Sequence, residues 1–552
     1  MKRRGFSVIL SVAVVLGVLS GCGSKPAEGE APLEKTETGA VQSEGDEQTE
    51  TVAETSEGET DGEEAFIGEE VTMILGYDTA SLAPFYGQSG GLKYAWDTIY
   101  ETLGIMDQRG EELTLVIAKS LEQVADAQYQ IEIWDNIYDT AGNHITAEDI
   151  KYCYDTCSEL MVFTNFLSSF DHMDVIDEYT VMLYLKEERM GALMSAMEGV
   201  PIINKEAYEA DPDSYVTDPK GTTGYVVTDF TEGYGFTCEF VGTWHEEGQA
   251  ESISFSHNVK KINYIYVVEP SQVRMALQNG EADVAYNVAT DDLDVFKNAD
   301  GFAVNEDIDN RVTQLMYNCT EGTPGADLHF RRACSYAFNR EEINEFVYGK
   351  TAALPNAVSG ILLIDYNKEW DSQDYYDYDV EKAKDELSQS SYNGEAIRIL
   401  MSNSATLKSI GTLMVTYLDA IGVKAEVYAV EDAVVENTAE DSSCWDLYLS
   451  PRGAEDYMVS MWRFWADANA FGGTTQNFVK DDTLQDYYDR MAVAATYSQE
   501  LVNEASDYVK EQCYVYAILQ APSYCVYNSD MIREIKLNYK AYPLPNAFEY
   551  NH

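Results

Sequence analysis

The 552-residue sequence predicts an α/β fold. Runs rich in β-branched and aromatic residues alternate with runs of helical periodicity from residue 71 onward, and alternation of that kind builds sheets covered by helices. A hydrophobic content of 45% over this length is enough for more than one core without disulfide staples. No repeat at solenoid period breaks the pattern.

The elements follow in chain order. Val71-Thr72-Met73-Ile74-Leu75 reads as the opening strand, and 91–103 as a helix. Residues 129–133 alternate as a strand does. Thr146 then caps a helix running through Ile150 and Tyr154, with Glu148 and Asp149 at its positive end. Residues 181–185 and 262–268 read as strands. A helix over 271–279 is stopped by Gly280, and one long helix over 330–348 by Gly349. Strands at 397–401 and 424–430 flank a helix at 407–421.

The charge is lopsided: 36 Lys and Arg against 96 Asp and Glu give −60. A polyanion is repelled by phosphate backbones, which excludes non-specific nucleic-acid binding, and polybasic adhesion to anionic lipid is excluded with it. Sixteen acids face one lysine between 26 and 70, so that stretch reads as an extended, self-repelling tether. As a coil it reaches about 35–40 Å. The body from Val71 still carries −49, so rejection of nucleic acid belongs to the folded part. The same field favours cationic ligands at long range.

Ahead of the tether, Lys2, Arg3 and Arg4 precede an apolar run over 6–19 that ends in Leu19-Ser20-Gly21-Cys22. A basic n-region, a short apolar core and small residues before a cut site form an export signal over 1–21. Cys22 at the first mature position makes this a lipobox, with the thiol as the acceptor of a diacylglyceryl anchor. Eight further cysteines contain no C-x-x-C, and Cys153 and Cys157, four apart on a helix, read as buried small residues. The sequence calls for no cofactor and no metal: six histidines fall in no metal motif.

Five blocks in order carry a resemblance. They are Tyr100-Glu101-Thr102-Leu103; the segment from Ala141-Gly142-Asn143-His144 to Asp149-Ile150; Gly221-Thr222-Thr223-Gly224-Tyr225; Ala276-Leu277-Gln278-Asn279-Gly280-Glu281-Ala282-Asp283; and Phe330-Arg331-Arg332-Ala333 through Asn339-Arg340-Glu341. Together they resemble the family 5 solute-binding proteins of ABC transporters, the oligopeptide-, dipeptide- and nickel-binding group. The third block departs from that family's GTGPY at Thr223 and Gly224. The residues themselves read as scaffold, with Arg331, Arg332 and Arg340 pairing acids or capping carbonyls.

The resemblance implies a two-lobed fold of the type II periplasmic-binding-protein kind, with a hinge and an interlobe ligand cleft. The tether then covers 22–70. One lobe takes 71–310 and 516–552, with an inserted subdomain at about 96–224, and the other takes 311–515. The function implied is capture of a small solute, a peptide first, and its delivery by a monomeric, membrane-anchored protein to an ABC permease and ATPase, with no bond broken. An acid in the second lobe takes the peptide amine in that family. The matching strand, Trp445-Asp446-Leu447-Tyr448-Leu449, places Glu455 or Asp456 there, although the usual Asp-Pro is replaced by Met458-Val459-Ser460. Arg452 is a partner for a ligand carboxylate, Trp462 and Trp465 for the cleft walls, and Tyr77 and Asp78 end the opening strand where the cleft begins.

Other readings stay open. A sensor or adhesin with the same fold needs no transporter, and a metal-chelate ligand ranks below peptides for want of His-rich tracts. A secreted hydrolase is suggested by Gly87-Gln88-Ser89-Gly90-Gly91, but Pro84 and a loop-like 80–86 deny it the strand that a nucleophile elbow needs. Gly349-Lys350-Thr351 mimics the end of a phosphate loop, yet Asn344 stands where its first glycine belongs.

Overall fold

The computed structural model describes residues 68–76, 80–86, 95–107, 113–164, 166–286, 288–453 and 456–551, apart from the Asp291 side chain. Cys22, the tether up to residue 67, Tyr77, Asp78, Glu455 and the 87–91 glycine–serine segment lie outside these residues.

A ten-stranded mixed sheet organises the body. Its order is Ala425–Val430, Ile397–Ser402, Leu447–Gly453, Phe302–Tyr317, Val515–Asn528, Val284–Tyr286, Gly68–Leu75, Val259–Tyr266, Gly235–Phe240 and Tyr225–Thr231. Each half contains a parallel pair: Gly68–Leu75 beside Val259–Tyr266, and Ile397–Ser402 beside Ala425–Val430. The long antiparallel strands Phe302–Tyr317 and Val515–Asn528 join the halves. Their ladder breaks midway, where Ile308 faces Pro522 and the next pair is Val312 with Gln520. Interruptions of this kind bend a strand and re-aim its far end. Here the break is tied down by side chains. Arg311 Nη2 donates to Asp309 Oδ2 at 2.6 Å, and Gln520 Nε2 donates to the Asp309 carbonyl at 2.7 Å.

The break separates two hydrophobic cores. One is built entirely from residues between 312 and 519, and the other from 71–284 together with 525–550. A smaller cluster around Ile74, Leu277, Phe296 and Tyr524 packs beside the second of these. This is the two-lobed α/β architecture. The first lobe also carries a four-stranded antiparallel sheet, ordered Ala118–Ala125, Gln128–Ile133, Thr180–Leu185, Phe170–Asp177, with helix Ala147–Glu159 against it.

Local chemistry explains most elements. Thr146 and Asp149 form a reciprocal capping box at the start of helix Ala147–Glu159. Gly280 ends Pro270–Asn279 in the left-handed conformation, at φ 71°. Gly224, where the family pattern has proline, sits at φ +89° with an ideal Cβ only 2.4 Å from the Gly242 carbonyl, so no side chain fits there. Arg331, 3% exposed, caps carbonyls rather than pairing acids: it donates to Gln512 O at 2.8 and 3.0 Å and to Gly325 O at 2.9 Å.

Three expectations are corrected. The opening strand begins at Gly68, so Glu69 and Glu70 belong to the sheet, where they pair with Lys260 and Lys261. Among the described residues of 91–103, only Ala95 and Trp96 are helical. The chain then turns and extends, because Val116 and Ala118 N–H groups claim the Leu103 carbonyl for pairing. The helix expected over 330–348 is two, Leu328–Ala337 and Arg340–Tyr348. Phe338 is extended at ψ 120°, and the Asn339 side chain accepts the Glu342 N–H to cap the second helix.

Candidate functional site

A cleft of about 460 Å³ has one wall from each lobe. The first-lobe wall comes from Ser168–Ser169 and the segment 186–195, including Lys186, Arg189 and Met190. The second-lobe wall is the outer face of helix Met458–Ala466, extended by Asp456, Tyr457, Asp467 and Tyr488. At 100° per residue, Val459, Ser460, Arg463 and Phe464 fall on one arc of that helix, and all four line the cleft. Met458, Met461, Trp462 and Trp465 fall on the opposite arc and are fully buried. Burial of Tyr488 among Asp467, Arg189, Arg463 and Asp489 pushes its hydroxyl up to about 12, so it remains a neutral donor and acceptor at the cleft wall.

At one end the walls touch. Met190 N–H donates to the Ala492 carbonyl at 2.9 Å, Ala494 N–H to the Glu188 carbonyl at 2.9 Å, and Arg189 bridges Val493 in antiparallel fashion. Beside this contact an ideal Cβ on Gly191 lies 3.6 Å from the Tyr457 ring.

The candidate residues fall in different places. Asp456 lines the cleft while only 3% exposed. Trp462 and Trp465, expected to wall the cleft, lie instead in the second core with ring centroids 4.8 Å apart, and Trp462 Nε1 donates to the Val358 carbonyl at 2.8 Å. Their size is used for packing, since the helix turns its smaller and polar residues outward. Arg452 is buried beside the cleft rather than in its lining. Its Nη2 donates to Glu436 at 3.0 Å and to Gln476 at 2.9 Å, and its guanidinium lies 4.5 Å from the Phe464 ring. Burial works to raise the Glu436 carboxyl, but Arg452, Tyr448 and Gln476 outweigh it and hold it below the ordinary value. Arg452 therefore already has its carboxylate. Arg189, Arg463 and Tyr488 are cleft residues that sequence reasoning missed. The helical phase of Trp462 and Trp465 was the signal for Arg463, and nothing marked the other two.

Among the described residues no cluster of three or more His, Cys, Asp or Glu is arranged to hold a metal, and no helix is long and apolar enough to cross a membrane. The eight cysteines after Cys22 are free thiols, six of them buried, and Cys153 and Cys157 stand unbridged in the first-lobe core.

Two lobes, a broken pair of crossing strands and a cleft between walls from both lobes define the extracellular solute-binding fold. Residues 112–474 match the middle region of the bacterial extracellular solute-binding proteins, family 5, and the chain belongs to that family. It is 25% identical over 341 residues to a Brucella ovis protein named for ABC-transporter peptide binding, covering 59% of this chain and 62% of the relative. The chain thus spans less than two thirds of that relative's length. It is 22% identical over 407 residues to the nickel-binding protein NikA of Staphylococcus aureus, covering 71% of this chain and 77% of the relative. The crystal structure of the ABC transporter substrate-binding protein CtaP of Listeria monocytogenes superposes with a TM-score of 0.76 at 16% identity, over 88% of this chain and all of that one.

Proposed function

We propose that this protein is the substrate-binding component of an ABC importer, capturing a peptide in the interlobe cleft and handing it to a membrane permease without breaking a bond. The cleft walled by Arg189 and Ser195 from one lobe and by Asp456, Ser460 and Arg463 from the other carries this reading. A solute filling it touches both lobes at once and so favours their approach, the hinge logic of such folds. The lining sets Lys186, Arg189 and Arg463 against Glu187, Asp456 and Asp467, a balance inside a body of strongly negative charge. A zwitterion finds both signs there. Asp456 is the residue we assign to the ligand amine, with Glu455 beside it in sequence, and Tyr77 and Asp78 remain our further candidates for ligand contact. The protein acts as a monomer tethered through lipidated Cys22 outside the membrane.

The nickel-chelate reading is favoured by the longer coverage of the nickel-binding relative, and weakened by a described cleft lining without histidine. One thermal-shift series separates the two. A random tetrapeptide pool is expected to raise the melting temperature, because a ligand of the native state stabilises by mass action. A shift with nickel–histidine and none with peptides reverses the assignment. Anchoring is tested separately: Cys22→Ala protein is expected in the medium, and retention at the membrane defeats the lipobox reading.

A further inference from the structure

The cleft lining holds three cations, Lys186, Arg189 and Arg463, and two of them are already engaged. Lys186 Nζ donates to the Ser168 carbonyl at 3.2 Å, and Arg189 pairs with Glu187 at 3.0 Å. Arg463, exposed on the outer arc of helix Met458–Ala466, forms no hydrogen bond or ion pair with any described residue. The acid four positions on, Asp467, accepts the Asn469 N–H at 2.9 Å instead. Arg452, the base expected to meet a ligand carboxylate, is taken by Glu436. A second donor lines the same cleft. Tyr488 stands on helix Asp482–Ala492, which packs against Met458–Ala466. The residue is only 5% exposed, yet its hydroxyl forms no hydrogen bond with any described residue. Polar groups on side chains this deeply buried are normally partnered, so one left open at a cleft wall is available to whatever enters. Its proton is secure, since burial pushes the hydroxyl up to about 12.

We propose that Arg463 and Tyr488 form a carboxylate seat in the second-lobe wall, which takes an ionised carboxyl group of the captured peptide. The proposal rests on the peptide reading given above and adds to it the chemical group that this wall selects. A guanidinium offers paired N–H donors in a planar fork that matches a carboxylate, and the phenol hydroxyl adds a neutral third donor. A ligand ammonium gains nothing from the guanidinium, which has no acceptor and carries the same charge. Arg189 reaches the same cleft from the first lobe, where its backbone bridges Val493, the residue after helix Asp482–Ala492. An anion on the seat therefore attracts a cation of the opposite lobe and favours the approach of the walls. The body as a whole repels anions, so selection for a carboxylate depends on these local donors.

The test titrates the full-length protein by calorimetry with three tetrapeptide pools. The first holds free acids and the second their carboxamides, both without Asp or Glu; the third holds carboxamides that each carry one Glu. A charge-assisted pair is worth about ten- to a hundredfold in affinity, so plain carboxamides should bind that much more weakly than free acids. Arg463→Gln should lower free-acid affinity to the carboxamide level and leave carboxamide affinity unchanged, a split that a merely structural role would not produce. Tyr488→Phe, which keeps the packing of the ring, should cost the free acids about two- to twelvefold and the carboxamides nothing. Glu-bearing carboxamides that bind like free acids would name a side-chain carboxylate as the occupant, and ones that bind like plain carboxamides would name the chain terminus. Equal binding of free acids and plain carboxamides overturns the seat while the peptide reading stands. An equal loss of both in Arg463→Gln overturns it too, because the residue then serves the scaffold. If no pool binds, the seat and the peptide reading fall together.

Discussion

The two lobes bury carboxylates in opposite ways. Glu101 of the first lobe is fully buried and fully answered: Trp244 Nε1 donates to it at 2.9 Å, and His245 pairs with it through Nε2. Beside this pair, burial lowers the His257 imidazole below its ordinary range. Asp365 of the second lobe is as deeply buried, and the partners it has among the described residues are the backbone N–H groups of Met458 and of Asp365 itself and the Tyr497 hydroxyl, with no base. The first arrangement rivets the irregular 241–258 segment to its core. The second leaves a buried acid, pushed up to about 7 by burial, next to the start of helix Met458–Ala466. Burial alone therefore does not distinguish the two acids; what differs is whether a base answers the carboxyl.

The contrast is tested most severely at Glu101. Glu101→Ala strands the His245 and Trp244 donors in the interior, and each buried donor left unsatisfied costs about 1–3 kcal/mol. Urea unfolding should show that loss, and Glu101→Gln, which still accepts the Trp244 N–H, should recover part of it. A cost below about 1 kcal/mol for Glu101→Ala would show the pair to be ornamental, since that is what an exposed ion pair contributes.

Arg452 probes the same contrast from the second lobe, because it is a buried base whose acid, Glu436, has a side chain 52% exposed. Arg452→Met keeps much of the packing against Phe464 and Tyr448 but loses the bonds to Glu436 and Gln476. A net cost of about 1–2 kcal/mol is expected, discounted for that exposure. The pH dependence has a definite sign. Glu436 is held below its ordinary value, so its contribution is present above the unfolded carboxylate range and lost as pH falls through the folded value. Arg452→Met should flatten the acid side of the stability profile below about pH 5 and leave pH 7–8 parallel to the wild type. An unchanged acid limb would mean that the pair does not form in solution.

These residues also show what was legible in the sequence. The helix at Ala147–Glu159 was readable because its capping box is a local device. The break at Phe338 was not: Ala333, Ala337 and Ile343 keep an apolar phase across it, and Asn339 looks like a helix polar residue until its side chain is seen to cap. For the cleft, matching the Trp445–Leu449 strand to a family pattern led to Asp456, which does line it. The same reasoning placed Trp462 and Trp465 outward because aromatic residues wall pockets, although their phase opposite Arg463 already assigned them inward. Asp365 carried no signal at all. It lies in a loop without periodicity, and only tertiary packing brings it to Met458, 93 positions away.

The smallest expected effect lies where the walls touch. Two backbone hydrogen bonds, Met190 to Ala492 and Glu188 to Ala494, tie the first-lobe wall to the end of helix Asp482–Ala492. They join segments of the two lobes, and the Met190 side chain also packs against the second-lobe core, so the backbone bonds are best probed at Ala494, which donates to the Glu188 carbonyl. Ala494→Pro deletes one donor, and a single bond of this kind contributes about 0.5–1.5 kcal/mol. That corresponds to a shift of roughly two- to twelvefold in the balance between apposed and separated lobes. Small-angle scattering should report a larger average radius for Ala494→Pro, and stopped-flow release of a bound peptide should accelerate by a similar factor, while urea unfolding of the two cores stays unchanged. Slower release would place the seam on the side of the open form, and a loss of fold stability without any change in release would make it part of a lobe rather than a latch between lobes.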